Sequence, residues 1–392
     1  MYVADVVSGM RRPEQRRNAE AYVVGMLAQG DRKSLQPVVE RQGGTLAAYE
    51  SLQQFVADSP WDPGLVLRAV AERVCPQIDV DAWILDDTGF PKQGKHSPGV
   101  KRQYSGTLGK TGNCQIGVSV HAAGASGTVP LGWALYLPQE WCSDAARRRR
   151  AKIPEGVTFK TKPQLALALA QAAASWQITK VPVLGDAAYG INTELRTGLH
   201  ELGLQYVLSI DPKIKLFESS TVFSVAPPSG TAGRPHSRLV PDRAPRSVSQ
   251  IVGDLDPAAF ELVAYRAGVN EDAPDLLGRF AFLRVIAMHP VIRDHLQPRE
   301  EWLIVEWPEG AEEPCDYWIS NLAEDSSHEQ LARLARMRWM IELDYKQLKG
   351  HLGLDHYEGR SWLGWHHHAA LVTLAHGWLT EQRQDPFHPR PD

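Results

Sequence analysis

Three carboxylates stand out for where they fall in the chain: Asp87, Asp186 and Glu342. Each aspartate follows a compact apolar run. Ala82-Trp83-Ile84-Leu85 leads into Asp86-Asp87-Thr88-Gly89, and Val181-Pro182-Val183-Leu184-Gly185 leads into Asp186. Short runs of this kind are how buried strands deliver acidic side chains to a sheet edge. If the two strands are neighbours their carboxylates converge, and a third on a packed helix completes a hard-oxygen site. Such oxygens suit Mg²⁺ or Mn²⁺, and two ions about 3.5–4 Å apart can activate an attacking oxygen and stabilise a leaving one in phosphoryl transfer. Taken singly, each aspartate has a plainer reading, Asp87 with Thr88-Gly89 as a turn and Asp186 as the cap of a following helix.

The third carboxylate lies in Arg338-Trp339-Met340-Ile341-Glu342-Leu343-Asp344-Tyr345-Lys346-Gln347-Leu348-Lys349. On one continuous helix Arg338, Glu342 and Lys349 fall within roughly 40° of one another, since each residue turns about 100°. An exposed, salt-bridged helix is the ordinary meaning of such a face, and it contributes little energy. The chemical meaning is that Glu342 binds metal while Arg338 and Lys349 meet phosphates. Two basic clusters extend this: Lys92, Lys95, Lys101 and Arg102 with Tyr104 just after the first aspartate, and Arg147 to Arg150. Arg149 and Arg150 are candidate phosphate contacts, because four consecutive cations repel unless something anionic lies near. The net charge of −4 argues against a uniformly basic surface. Phosphate binding nevertheless depends on the field within about 8–10 Å, so a basic face and an acidic whole are compatible. Trp365-His366-His367-His368 looks like a metal cluster, yet consecutive helical residues splay about 100° apart and cannot chelate one ion.

The elements that would position these groups are legible in outline. Apolar spacings of three and four over Glu20 to Leu27 and Leu65 to Val74 predict an all-helical N-terminal domain, residues 1–78. Cys114 to His121 and Val129 to Tyr136 predict an antiparallel meander, and a helix from Lys162-Pro163 to about Trp176 follows. Strand and helix then alternate through Thr193 to Leu202 and Tyr206 to Ile210, which predicts an α/β core with a partly parallel sheet. Residues 226 to 247 are rich in Pro, Gly, Ser and Arg and lead into strand-like Phe260 to Arg266 and Arg279 to Met288, so residues 213–299 read as a β-rich insertion. Strands at Trp302 to Trp307 and Tyr317 to Ser320, a long helix from Ser326 to about Lys349 and a last helix over Trp365 to Gln382 complete the core before a tail from 383 to 392. The four cysteines are far apart, which argues against a zinc site and a disulfide framework. No stretch reads as a membrane span or secretory signal, so the expected location is the cytoplasm, associated with the nucleoid.

The Arg-x3-Glu-x6-Lys arrangement resembles the signature of DDE transposases of the insertion-sequence 4-like superfamily. Asp86-Asp87-Thr88-Gly89-Phe90-Pro91-Lys92-Gln93-Gly94, Gly185-Asp186-Ala187-Ala188-Tyr189-Gly190 and Gly353-Leu354-Asp355-His356-Tyr357-Glu358-Gly359-Arg360-Ser361-Trp362 resemble the insertion-sequence 701 family. The resemblance implies a ribonuclease H-like mixed sheet flanked by helices, its first part at residues 79–212 and its second at 300–382, interrupted by the insertion domain. It implies Asp87, Asp186 and Glu342 as catalytic metal ligands for Mg²⁺, with Mn²⁺ as a substitute, and Asp86 as the rival of Asp87. It also implies DNA as partner, transposon ends and target alike, and a homodimer on DNA. One departure is Ala335, where the related signature often carries a tyrosine. A domesticated DNA-binding or regulatory protein, and a metal enzyme with another substrate on this fold, are the alternatives.

Overall fold

A computed structural model describes residues 2–225, 239–265, 275–287 and 298–384. The chain forms two compact units, one from residues 1–180 together with 339–392, the other from 181–338.

The first unit begins with five helices, α1 (Tyr2–Val6), α2 (Pro13–Leu27), α3 (Leu35–Arg41), α4 (Leu46–Ala57) and α5 (Pro63–Val74). Proline at the first helical position of α2 and α5 uses a residue whose missing N–H would be unpaired there anyway. Four strands follow: β1 (Val80–Pro91), β2 (Lys101–Ser105), β3 (Lys110–Gly124) and β4 (Gly127–Leu135). β3 pairs antiparallel with β1 along one edge, and with β2 and then β4 along the other. The meander read from the sequence is thus present, with longer strands and a tighter loop. β1 differs from expectation: it does not end at the acidic pair but runs on to Pro91, with Asp86 opposite Ser119 and Asp87 opposite Val118. β3 is long enough to keep pairing with it, which satisfies the backbone beyond Asp87 that a turn would otherwise have to serve. Short helices α6 (Gln139–Ser143) and α7 (Ala145–Arg150) precede α8 (Lys162–Ala174), which packs on β3 and β4. Thr161 and Gln164 close a capping box at the start of α8.

The second unit holds β5 (Val183–Gly185), α9 (Ala187–Gly190), α10 (Thr193–Glu201), β6 (Tyr206–Ser209), β7 (Lys215–Glu218), β8 (Phe223–Val225), β9 (Leu239–Pro241), β10 (Arg246–Ser247), α11 (Val248–Gly253), β11 (Glu261–Tyr265), β12 (Leu276–Ala287), β13 (Glu300–Glu306), β14 (Asp316–Ser320) and α12 (His328–Met337). Its main sheet runs β10-β7-β12-β13-β14-β6-β5, with β11 also on β12. β5 and β6 are parallel and the other pairs antiparallel, so the sheet is mixed, as expected. Residues 226–238 of the Pro- and Gly-rich stretch, the strand ends at Arg266 and Met288, and the tail beyond 384 lie outside the described residues.

The chain returns to the first unit with α13 (Met340–Gly350) and α14 (Trp362–Gln384). The single helix expected from Ser326 to Lys349 is therefore two helices, parted at Arg338–Trp339. Burial supplies the reason. α12 buries Leu331, Ala332, Leu334 and Ala335, whereas α13 buries Met340, Ile341, Asp344, Tyr345 and Leu348. Each stripe faces the core of its own unit, and the helices part where the chain passes from one unit to the other. α14 is buried on nearly every side and packs against α2, α4, α5 and β4, as a helix apolar all round must.

Candidate active site

Asp87 projects from the middle of β1, and both its carboxylate oxygens accept from the Lys162 ammonium, at 2.9 and 3.0 Å. Asp86, its neighbour, accepts from the Asp87 backbone N–H through Oδ1 at 2.7 Å. Alternation along a strand sends adjacent side chains to opposite faces, so the two aspartates have separate environments. Gly89, two residues on, admits the loop carrying Ser105 and Thr107. A Cβ there would collide with the Ser105 side chain, and the Gly89 N–H donates to Thr107 Oγ1 at 3.3 Å.

α13 is seated on this strand. Tyr345 is buried, its hydroxyl 2.7 Å from Ser119 Oγ, and its pKa is pushed well up by burial and then by the charges of Asp86 and Asp87. Lys349 reaches across to donate to Gly89 O at 2.9 Å and Thr107 Oγ1 at 3.0 Å. Burial lowers its pKa to about 8, with Asp355 pulling the other way. Glu342 is exposed on the same helix. The opposite face is held by Asp344, fully buried, which bonds His121 through Oδ2 and stands 2.8 Å from His376 Nε2 through Oδ1. Burial alone would raise the Asp344 pKa, but the two imidazoles hold it far below the usual carboxylate range. Sequence reasoning missed this anchor. His121, Asp344 and His376 are scattered and share no motif, and a lone Asp beside an expected metal ligand reads as surface charge.

Asp186 follows β5 and caps α9, accepting through Oδ1 from Ala188 N at 2.9 Å and Tyr189 N at 3.3 Å. The capping role and the chemical role expected of it are compatible, because a carboxylate has a second oxygen. Arg338 lies in the turn after α12 and not on α13, while Glu342 and Lys349 share one face of α13.

The basic groups divide into structural and exposed. Lys92 is half-buried and donates to Tyr357 O at 2.6 Å, which ties the loop after β1 to the segment before α14; Lys95 is exposed. Lys101 pairs with Glu140 at 3.0 Å. In α7, Arg147 lies 3.7 Å over the Trp141 ring, and Arg148 donates to the carbonyls of Pro154, Glu155 and Val157. The four arginines thus coexist because a π face and carbonyl oxygens take two of them, while Arg149 and Arg150 are exposed. The three consecutive histidines point apart. His366 Nδ1 meets Trp362 O, His367 meets Val56 O and Trp61 O, and His368 meets the Tyr22 hydroxyl.

Three carboxylates are the donor set of a hard divalent cation, and Asp87 already holds a cationic group across both its oxygens, so its chemistry fits. Among the described residues, no three His, Cys, Asp or Glu side chains stand together as a preassembled metal cluster. All four cysteines are free, and no described helix is long and apolar enough to cross a membrane.

In the first unit, then, a strand bearing a partly buried aspartate is overlaid by a glutamate-bearing helix. Comparison with known families agrees: a DDE superfamily endonuclease model matches residues 5–272, and the chain belongs to that family. It is also similar to the probable transposase for insertion sequence element IS701 from Microchaete diplosiphon, 30% identical over 190 residues. That match takes in 48% of this chain and spans about half the relative's length, 47%.

Proposed function

We propose that this chain is the transposase of a bacterial insertion sequence, cutting DNA at the element's ends and joining them to target DNA. The seating of α13 on β1 carries the reading, because Tyr345 on Ser119, the β3 partner of Asp86, and Lys349 on Gly89 put the glutamate-bearing helix over the strand that carries both aspartates. In this reading Asp87, Asp186 and Glu342 are the ligands of Mg²⁺, or of Mn²⁺ in its place. The ion, when bound, supplies Lewis acidity at the scissile phosphate. Lys349 and Arg338 draw the phosphate backbone in, while the exposed Lys95, Arg149 and Arg150 hold flanking DNA. Lys92 contributes through the loop it braces. The nucleophile is water for cutting and a terminal 3′-hydroxyl for joining, attacking in line. The β-rich segment 213–299 is an insertion into the catalytic core, and the chain works on DNA in the nucleoid as a homodimer that holds two ends.

The test is cleavage of labelled DNA carrying the flanking ends of the gene in Mg²⁺, with wild type beside Glu342→Gln, Asp87→Asn and Asp186→Asn. Cutting by wild type alone supports the assignment. A variant that still cuts removes its residue from the site. Binding without cutting by wild type replaces the transposase with a DNA-binding protein that has kept the fold and lost the chemistry.

A further inference from the structure

We propose that Lys162 is a removable counter-ion of Asp87, closing that carboxylate to a divalent cation until DNA draws the ammonium onto a backbone phosphate. The inference rests on the reading of Asp87 as a metal ligand and adds a residue that neither the motifs nor the family comparison singles out. Lys162 Nζ lies 2.9 and 3.0 Å from the two Asp87 oxygens, so it stands in front of both at once. A cation arriving at Asp87 meets the ammonium in front of both oxygens and is repelled by it, so binding there is tighter once the lysine has moved away.

Its place in the fold makes the lysine displaceable. Lys162 is the first residue of α8, directly after the Thr161 cap. The N-terminal turn of a helix carries partial positive charge and disfavours a cation there, so α8 gains nothing from lysine at this position. The Asp87 carboxylate is what compensates. The pair is not sealed: the Lys162 side chain keeps 34% of its surface exposed and Asp87 keeps 18%. An ion pair open to solvent is held weakly and yields to a competing charge. Lys160, two residues earlier, is exposed, so the segment entering α8 offers DNA two cations, one of which leaves Asp87 to take a phosphate. Metal and DNA would then bind with positive coupling, each loosening the same ion pair for the other.

The experiment measures Mn²⁺ affinity by electron paramagnetic resonance of the free ion, with and without a duplex carrying the gene's flanking end. Wild type, Lys162→Met, Lys162→Arg and Asp87→Asn are compared, with thermal melting as the check on folding. Without DNA, Lys162→Met should bind Mn²⁺ up to about fivefold tighter than wild type, the upper end of the range expected for removing an ion pair open to solvent. Wild type should tighten when the duplex is added, Lys162→Met should not, and Lys162→Arg should keep the wild-type dependence. Equal Mn²⁺ affinity in Lys162→Met and wild type, with loss in Asp87→Asn, overturns the counter-ion and leaves the site standing. Unchanged affinity in Asp87→Asn instead removes Asp87 from metal binding, and the counter-ion proposal falls with it. Should Lys162→Met fail to fold, absence of any DNA effect on Mn²⁺ binding by wild type overturns the proposal equally.

Discussion

Among the basic groups proposed to meet phosphate, Lys349 is changed by its surroundings. Burial lowers its pKa to about 8, so the folded protein loses this charge well before a free lysine would. The group is an ammonium below that pH and a neutral amine above it. DNA affinity should therefore fall as pH rises through about 8, a limb absent in Lys349→Met and displaced to higher pH in Lys349→Arg. Fluorescence anisotropy across that range checks it; an identical limb in Lys349→Met assigns the titration elsewhere. Arg149 and Arg150, both exposed on α7, are proposed to make a different class of contact. Replacing both with alanine should weaken DNA binding for all sequences and reduce the slope of log affinity against log salt by about two, near one per phosphate contact. An unchanged slope returns them to the solvated surface.

At the scale of elements, α13 is the piece whose position decides whether Glu342 can act. One face carries Glu342 and Lys349, and the other plugs Asp344 between His121 on β3 and His376 on α14. All three polar groups are buried, so removing the central carboxylate takes away the partner of His121 Nδ1 and leaves His376 Nε2 with Gln347 alone. Asp344→Ala should cost about 3–5 kcal/mol of stability, read from the shift in a urea midpoint. Catalysis should fall with it even below the unfolding transition. A cost under about 1 kcal/mol, the worth of an exposed ion pair, would mean that α13 is seated by Met340, Ile341 and Leu348 alone. The break at Arg338–Trp339 belongs here too: it frees α13 to turn its own stripe inward while α12 serves the second unit's sheet.

For the whole molecule, stability should be acid-sensitive in a defined window. His368 is buried and His366 partly so, and withdrawal from water lowers the pKa of each from 6.5 to about 4. The unfolded chain takes up protons at these sites from about 6.5 downward, whereas the folded chain resists until about 4. Their contribution is fully present above about 6.5 and is lost as pH falls toward 4. Thermal melting from neutral to acid pH should show this loss, and a His368→Gln variant should show a smaller one. An equal acid loss in that variant would assign the effect to carboxylates elsewhere.

The elements near the candidate site were legible because local rules govern them. Apolar runs before Asp87 and Asp186 marked strands, Lys162-Pro163 marked the start of α8, and alternation of strand and helix marked a mixed sheet. Glu342 and Lys349, seven residues apart, needed only helical geometry to share a face. Tertiary packing decided the rest. Lys162 meets Asp87 from 75 residues away, and Asp344 meets His121 from 223, distances at which no pattern of spacing operates. β1 ran past its acidic pair because β3 was there to bond it, and the expected helix parted at Arg338–Trp339, where the chain passes from one unit to the other. Sequence alone determines which segments are amphipathic and where they start. Which buried charge finds which partner is decided only when the segments pack, because the cost of burying a charge unpaired is felt only there.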